Sequence, residues 1–398
     1  MKSESIRRTA FVLFSVLFGL IARQWIVSGI DATGSHLYKT CRRSPIVFTH
    51  YAPLDGFLCI LKVFFRRAMD DYMGLHITRV ILGLFGTVQV IMALEGSRYG
   101  YSKWYHITSW FMLWGMAANV CTIAVISSIC WIPLLVLSSH SFLSQTQQPG
   151  KNNPQQDQLV PVMIQPSRVF AIFYSILITY GLPSLFMTTS IIASPSTWLS
   201  DQIIVFWQFA PVFYHLLYLL LTMVFNKSSF LKPYFYDQRV QPLHDKTEKE
   251  DEDVNGPNQV RQRVRMAQSK AAVEKVYLLL ASINLFIYYG SFFKAQSDGV
   301  YVKDSLILLF LKQIPVMGLN ETQIAQFLSA HVLLLDLLVT TLAFSVWALY
   351  EDGLYAFLFV SLGNFVLGPG ASIALYAAYR ELRIQNPENL KLRLKKQN

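Results

Sequence analysis

Residues 202–226 read QIIVFWQFAPVFYHLLYLLLTMVFN, a run without a single Asp, Glu, Lys or Arg. An α-helix needs roughly 20 predominantly apolar residues to cross a hydrocarbon core of about 30 Å. In that core an unpaired backbone amide costs several kcal/mol, so a helix, which pairs its own amides, is the form such a run takes. The same charge-free texture recurs at residues 104–150, 169–200 and 353–379. A transmembrane β-barrel would show short alternating segments, whereas these are long and continuous.

The composition agrees. Of 398 residues, 53% are hydrophobic and 15% charged, with a mean hydropathy of +0.36. Soluble domains carry about 25% charged residues. The expected fold class is all-α, a polytopic transmembrane helix bundle with eight or nine spans. They are drawn at 9–28, 46–65, 76–95, 105–140, 168–193, 203–226, 272–293, 328–350 and 354–377. Residues 1–398 read as a single integral membrane domain. The first span follows Lys2, Arg7 and Arg8 and lacks a small-residue cleavage site, so it is expected to be a retained helix and not a signal peptide. The segment 105–140 is too long for one straight crossing and contains Pro133, which favours a kink. An interfacial helix over 104–114 followed by a true span would account for it. Glu351, Asp352 and Gly353 make spans eight and nine a tight antiparallel hairpin.

Two polar segments interrupt the pattern. Residues 144–166, rich in Gln, Asn and Pro, read as an exposed loop. Residues 227–271 read as a long charged loop, disordered over the acidic run from Asp245 to Asp253. Arg261, Arg263, Arg265 and Lys270 then anchor the entrance of the seventh helix. The positive-inside rule favours a cytoplasmic position for both this loop and the tail containing Arg380, Arg383, Lys391, Arg393, Lys395 and Lys396. Three helices between them cannot place both on one side. Either the segment 304–317 dips into the bilayer or one basic region misleads. The net charge of +10 therefore reads as membrane orientation, and no nucleic-acid partner is expected. Cys41, Cys59, Cys121 and Cys130 show no CxxC spacing and read as small apolar packing residues, not as a metal or disulfide framework.

Ionisable groups inside a span are costly and mark function or a buried pair. Three carboxylates stand out: Asp55 in span two, Glu95 with Arg98 one turn on, and Asp336 in the middle of span eight. A lone carboxylic acid in apolar surroundings disfavours its charge and can stay protonated at neutral pH. The bland alternative is interhelical hydrogen bonding that holds the bundle. Lys62 could pair with a carboxylate from another helix but reads first as a snorkelling side chain near the end of its span. His215 and His331 read as satisfied buried histidines or as ligands or proton carriers. The chain also carries 28 Phe, 20 Tyr and 8 Trp. Of these, Trp110, Trp114, Tyr180, Trp207, Tyr214, Tyr288 and Trp347 lie where they could face a cavity. Aromatic faces stabilise cations by roughly 0.5–2 kcal/mol each. A protonated acid, aromatic walls and excluded water are what a carbocation cyclisation needs. A proton-coupled transporter or lipid-handling protein using Asp55 and Asp336, and a structural subunit with no chemistry, are the other readings.

A resemblance extends this reading. Asp55 with Leu58 and the Phe64-Phe65 pair, Glu95-Gly96-Ser97-Arg98, Trp207-Gln208-Phe209-Ala210-Pro211, Leu335-Asp336, and Leu367-Gly368-Pro369-Gly370-Ala371 followed by Arg380-Glu381 run in order along nearly the whole chain. Together they resemble the membrane-bound terpene cyclases of fungal meroterpenoid and indole-diterpene biosynthesis, the ascofuranone- and paxilline-pathway type. Tyr99-Gly100-Tyr101 and Tyr379 depart from that pattern and bear on substrate more than on fold. The resemblance implies an isomerase of secondary metabolism that cyclises a prenylated, often epoxidised, polyketide or indole intermediate without cofactor or metal, by protonation of either an epoxide or an alkene. A prenyltransferase and an epoxidase would act upstream, and the endoplasmic reticulum would be the compartment. Glu95, Asp336 and Asp55 are then the candidate catalytic residues, supported by Arg98, Trp207, Gln208, Trp110 and Tyr214. The acid is Glu95 or Asp336, and the other carboxylates are its partner or the final base.

Overall fold

The computed structural model describes residues 2–43, 48–101, 106–145, 162–188, 197–228, 235, 257–312 and 320–385, and no strand occurs among them. In chain order the helices are α1 (Lys2–Arg43), α2 (Ala52–Asp70), α3 (Tyr72–Gly96), α4 (Phe111–Cys121), α5 (Ile123–Ile126), α6 (Ile132–Gln145), α7 (Pro166–Ile176) and α8 (Leu182–Thr188). They continue with α9 (Thr197–Gln208), α10 (Ala210–Lys227), α11 (Pro257–Ser297), α12 (Val302–Phe310), α13 (Glu321–Asp352), α14 (Leu354–Val366) and α15 (Pro369–Ile384). Local chemistry sets many boundaries. The Asp71 carboxylate accepts from the Gly74 amide at 2.6 Å and starts α3. Asn320 and Gln323 form a reciprocal capping box at the start of α13. Turns of π-helix over Ser127–Trp131 and Leu177–Gly181 each end two residues before a proline, Pro133 and Pro183. Proline lacks an amide proton and crowds the preceding turn, and the wider π register accommodates it.

Five helical segments are long and apolar enough to cross a membrane: Ser5–Asp31, Tyr72–Gly96, Pro166–Thr188, Arg263–Ser297 and Glu321–Asp352. A sixth is the pair α9–α10, bent by 69° where Phe209 separates the two helices. The contacts sort their ends into two groups. At one end Phe11 meets Tyr350, and Arg7 lies over the Tyr350 ring. Glu95 reaches α15 at this end, and Asn226 accepts from Gln165 and Ser167. At the other, His36 faces Glu321, Gly74 packs on Ala330, and Arg79 donates to the Thr188 carbonyl. The first collects Arg7, Arg98, Arg380 and Arg383 and is the basic end. The second carries a Cys41–Cys59 disulfide with Cα atoms 5.9 Å apart.

That disulfide corrects the reading of those two cysteines as unpaired packing residues. Cys41 is in the last turn of α1 and Cys59 lies two turns into α2, so the turn between the helices, not a sequence spacing, joins them. Cys121 and Cys130 are free.

Three expected spans are not single crossings. The helix predicted at 46–65 is α2, which starts beside the disulfide and ends at Asp71, where α3 begins, at the same end of the molecule. It lies across that end, tied to α9 by Lys62 and Arg66, whose nitrogens sit 3.1 and 2.8 Å from the Asp201 carboxylate. Lys62 is thus paired and does not snorkel. The segment predicted at 105–140 is a hairpin. α4 leaves the basic end, where Thr108 packs on Gly96, and breaks at Thr122 (φ 71°). α5 and α6 then return past Phe344, which stacks on Trp131, to Ser138 beside Tyr101. The segment predicted at 354–377 is a second hairpin. α14 enters from the basic end after Gly353 (φ 84°), and the chain reverses at Gly368 (φ 85°). α15 returns antiparallel, with the Ser372 hydroxyl donating to the Val360 carbonyl and Arg383 meeting Glu351.

The α14–α15 hairpin removes the orientation conflict. α11 departs from the basic end and α15 comes back to it, so both basic regions flank the same face. α12 is a short helix at the opposite end, where the Leu309 carbonyl lies 2.6 Å from His331 Nδ1. α11 begins at Pro257, so residues 257–271 of the expected loop are helical. The acidic run 245–253 and most of the loop 144–166 lie outside the described residues.

Candidate functional site

A cavity of about 120 Å³ lies between α1, α2, α3, α4, α9 and α13. Its walls are apolar and aromatic: Phe64 and Phe65 from α2, Phe85 from α3 and Trp207 from α9. These rings brace one another. Phe65 meets Trp207 edge-on at 5.3 Å, Phe85 lies 5.8 Å from Trp207, and Tyr180 stacks behind Phe85 at 5.6 Å. The Trp207 indole N–H donates to Ser184 Oγ at 2.8 Å, which fixes the ring. An engineered cavity of about 150 Å³ holds benzene, so this one fits about one ring or isoprene unit.

Among the described lining residues, Asp336, Asn119 and Thr122 bring the polar side chains, besides the Trp207 N–H that Ser184 holds. Asp336 is 6% exposed, at mid-helix in α13. The Ala124 amide, in the first turn of α5, donates to its Oδ1 at 2.9 Å. No basic side chain of the described residues reaches Asp336 within ion-pair distance. The Thr122 hydroxyl faces the Asp336 carboxyl but makes no hydrogen bond of good geometry. Asn119 donates from Nδ2 to the Gln208 carbonyl at 2.8 Å, and its buried Oδ1 has no partner. Thr122 holds this position at φ 71°, ψ 149°, a region that β-branched residues avoid at a cost of about 1–3 kcal/mol.

Glu95 sits elsewhere, in a buried ionic cluster at the basic end. Arg98 donates to both Glu95 oxygens at 2.8 and 2.6 Å, to the Val162 carbonyl at 2.7 Å, and also meets Glu381. Arg380 donates to Glu95 Oε1 at 2.8 Å and lies over the Trp347 ring at 5.0 Å. Arg383 meets Glu351 and Asp352, and the Tyr376 hydroxyl donates to Asp352. Burial alone would lower the Arg98 pKa, but Glu381 and Glu95 outweigh it and hold the guanidinium firmly protonated. A carboxylate facing two such cations is a poor proton donor. Glu351, within the cluster, lies fifteen residues beyond Asp336 on α13, about 22 Å along the helix axis.

The other expected site residues separate in the same way. Asp55 accepts from the Phe48 and Thr49 amides at 3.1 and 2.7 Å and from the Thr49 hydroxyl, organising the turn that the disulfide closes. It does not line the cavity. Gln208 is buried next to Trp207 with both side-chain amide atoms unpartnered. Tyr214 is buried in the core and donates to the Phe111 carbonyl, whereas Trp110 is 41% exposed. Tyr288 sits against Gly368 and donates to the Phe365 carbonyl. Phe85, Asn119 and Thr122 are cavity residues that sequence reasoning did not single out. Phe85 is indistinguishable in sequence from lipid-facing aromatics, and the two polar ones become neighbours of Asp336 only because α4 ends there.

A second, larger groove of about 870 Å³ runs between α3, α7–α8 and α11. Leu82 lines both spaces, and Tyr180, whose hydroxyl donates to the Leu82 carbonyl, forms part of the wall between them. Among the described residues no group of three or more His, Cys, Asp or Glu could hold a metal ion.

Residues 8–381 match the CtvD domain. The chain belongs to the CtvD family. This is a family of fungal biosynthetic-pathway proteins. The match runs from the first turns of α1 to Glu381 in α15, so it includes the aromatic cavity, both helical hairpins and the Glu95–Arg98–Arg380–Glu381 part of the ionic cluster. No curated protein and no solved structure matches the chain.

Proposed function

We propose that this CtvD protein is a membrane-embedded terpene cyclase. It would start ring closure of a prenylated, epoxidised meroterpenoid or indole-diterpene intermediate by proton transfer from Asp336. The observation that carries the reading is the position of Asp336. Of the buried carboxylates Asp55, Glu95, Asp336 and Glu381, it alone lines the cavity, whose wall is otherwise mainly aliphatic, with four aromatic rings from Phe64, Phe65, Phe85 and Trp207.

In this mechanism the protonated Asp336 gives its proton to the epoxide oxygen and the carbon–oxygen bond breaks. The electron pair goes to oxygen, which becomes a hydroxyl, and the positive charge is left on carbon. A substrate double bond captures that carbon, and the charge passes along the chain while Phe64, Phe65, Phe85 and Trp207 face it. Loss of a proton from the last cation, returned to the Asp336 carboxylate, would complete an isomerisation and restore the acid. The cavity takes the reacting end of the substrate. Glu95, paired with two arginines, is a fold residue in this reading, and Asp55 is a turn residue. The substrate would reach the site through the membrane in which an upstream prenyltransferase and epoxidase deliver it, in the endoplasmic reticulum.

Microsomes containing the protein should convert an epoxyfarnesyl-bearing aromatic into a cyclic isomer of unchanged mass, and Asp336→Asn should remove that conversion. General acids contribute about 10²–10⁴-fold, so retention of more than about a tenth of the activity in folded Asp336→Asn would exclude the assignment.

A second reading, a proton-coupled transporter, draws on the two broken hairpins, since transporters build their sites from discontinuous helices. Inverted repeats bring such hairpins in from opposite faces. Here α4–α6 and α14–α15 both enter from the basic end, which favours the enzyme.

A further inference from the structure

The α4–α5 break combines three features that packing alone does not require. Thr122 holds a left-handed backbone conformation that Gly would adopt without strain. Its hydroxyl faces the Asp336 carboxyl without a hydrogen bond of good geometry, and Asn119 Oδ1 is buried without a partner, although buried polar atoms are nearly always paired. Both residues line the cavity beside Asp336. We propose that Asn119 and Thr122 are positioning residues that, with Asp336, form a three-point site for one oxygen atom of the ligand.

The donor pattern specifies the kind of oxygen. One of the two Asn119 Nδ2 hydrogens is used by the Gln208 carbonyl, and the side-chain atom left without any partner is the acceptor Oδ1. Thr122 offers a hydroxyl, able to donate or accept. A group that accepts from Thr122 and, once it carries a hydrogen, donates to Asn119 satisfies both. A hydroxyl does this, as does an oxygen that becomes a hydroxyl on receiving a proton. A bare alkene would leave both atoms unpaired. The site thus selects an oxygen-bearing terminus and holds that oxygen within reach of the Asp336 carboxyl. This assignment rests on the cyclase reading for its catalytic consequence but not for its ligand chemistry.

The test uses the full-length protein in detergent or microsomes. Thr122→Val keeps the shape and removes the hydroxyl, and Thr122→Ser restores it. With an epoxidised substrate, Thr122→Val should lower kcat/KM by about tenfold, the worth of a lost neutral hydrogen bond, and Thr122→Ser should recover most of it. Thr122→Gly should raise the thermal midpoint by relieving the backbone yet turn over slowly, whereas a purely structural threonine would show the first effect without the second. Binding is read separately, as thermal stabilisation by geraniol against 2,6-dimethylocta-2,6-diene, the same chain without the hydroxyl. The unaltered protein should favour geraniol, and Thr122→Val and Asn119→Leu should not. If no substrate is converted but this discrimination holds, the cyclase reading fails and the oxygen site stands. If the unaltered protein does not distinguish the two probes, or Thr122→Val turns over and binds like it, the oxygen site is overturned.

Discussion

Arg380 Nη1 donates to Glu95 Oε1 at 2.8 Å across 285 positions of sequence, joining the end of α3 to the returning arm of the α14–α15 hairpin. Because Arg98 holds the same carboxylate, Glu95 anchors two cations in a buried place. Removing one partner of a buried ion pair costs about 3–5 kcal/mol, since the remaining charge stays buried without compensation. Glu95→Gln should therefore lower the detergent-solubilised melting temperature and the folded yield. The molecules that do fold should keep turnover within about threefold, because the acid lies elsewhere. Size-exclusion profiles and conversion per folded molecule measure the two effects apart.

The Cys41–Cys59 bridge closes the turn that Asp55 organises. A loop of this length contributes about 3 kcal/mol by restricting the unfolded chain. Cys41→Ser and Cys59→Ser should each destabilise by about that amount, and the double variant should cost little more than either single one. Maleimide labelling of the denatured protein should find these two thiols only after reduction.

The α14–α15 hairpin makes a labelling prediction. With Cys121 and Cys130 replaced by alanine, single cysteines at Ser228 and Leu382 should react with a membrane-impermeant maleimide from the same side, and one at Ser297 from the opposite side. A straight crossing over 354–377 would instead pair Leu382 with Ser297. By the positive-inside rule the shared side of Ser228 and Leu382 is the cytoplasmic one, and the disulfide then lies on the oxidising side.

The hairpin tip depends on close approach to α11. A Cβ built on Gly370 would lie 2.0 Å from Asn284 Oδ1, and one on Gly368 would lie 2.5 Å from the Tyr288 ring. Gly370→Ala should destabilise by about 1–3 kcal/mol through overpacking. Adding Asn284→Ala should recover part of the loss despite removing the bond from Asn284 to Thr87, and a thermal-melt double-mutant cycle reads the coupling.

The α-helical membrane class was legible because it depends on local composition. Charge-free runs such as 202–226 exclude a soluble core wherever they sit in the fold. Asp336 was legible as well, since a carboxylate amid apolar residues stands out on one line of sequence. The path of the chain was less so. Apolar runs such as 105–140 and 354–377 have the same composition whether they cross once or fold back. Gly368-Pro369 carried a turn signal, but Thr122, a β-branched residue in a left-handed conformation, carried none.

The roles of the charged groups show the same division. Glu95 and Asp336 both read as costly carboxylates at or within helical spans. Long-range packing brought Arg380 to the first, and only a cavity and an amide to the second. Sequence alone determined that this protein is a helical membrane protein, with its carboxylates and aromatics near or within the spans, because solvation by lipid acts on each segment independently. The tertiary structure decided which runs cross and which return, which cysteines join, and which carboxylate faces the cavity. Those outcomes depend on contacts between residues far apart in the chain, and no single segment encodes them.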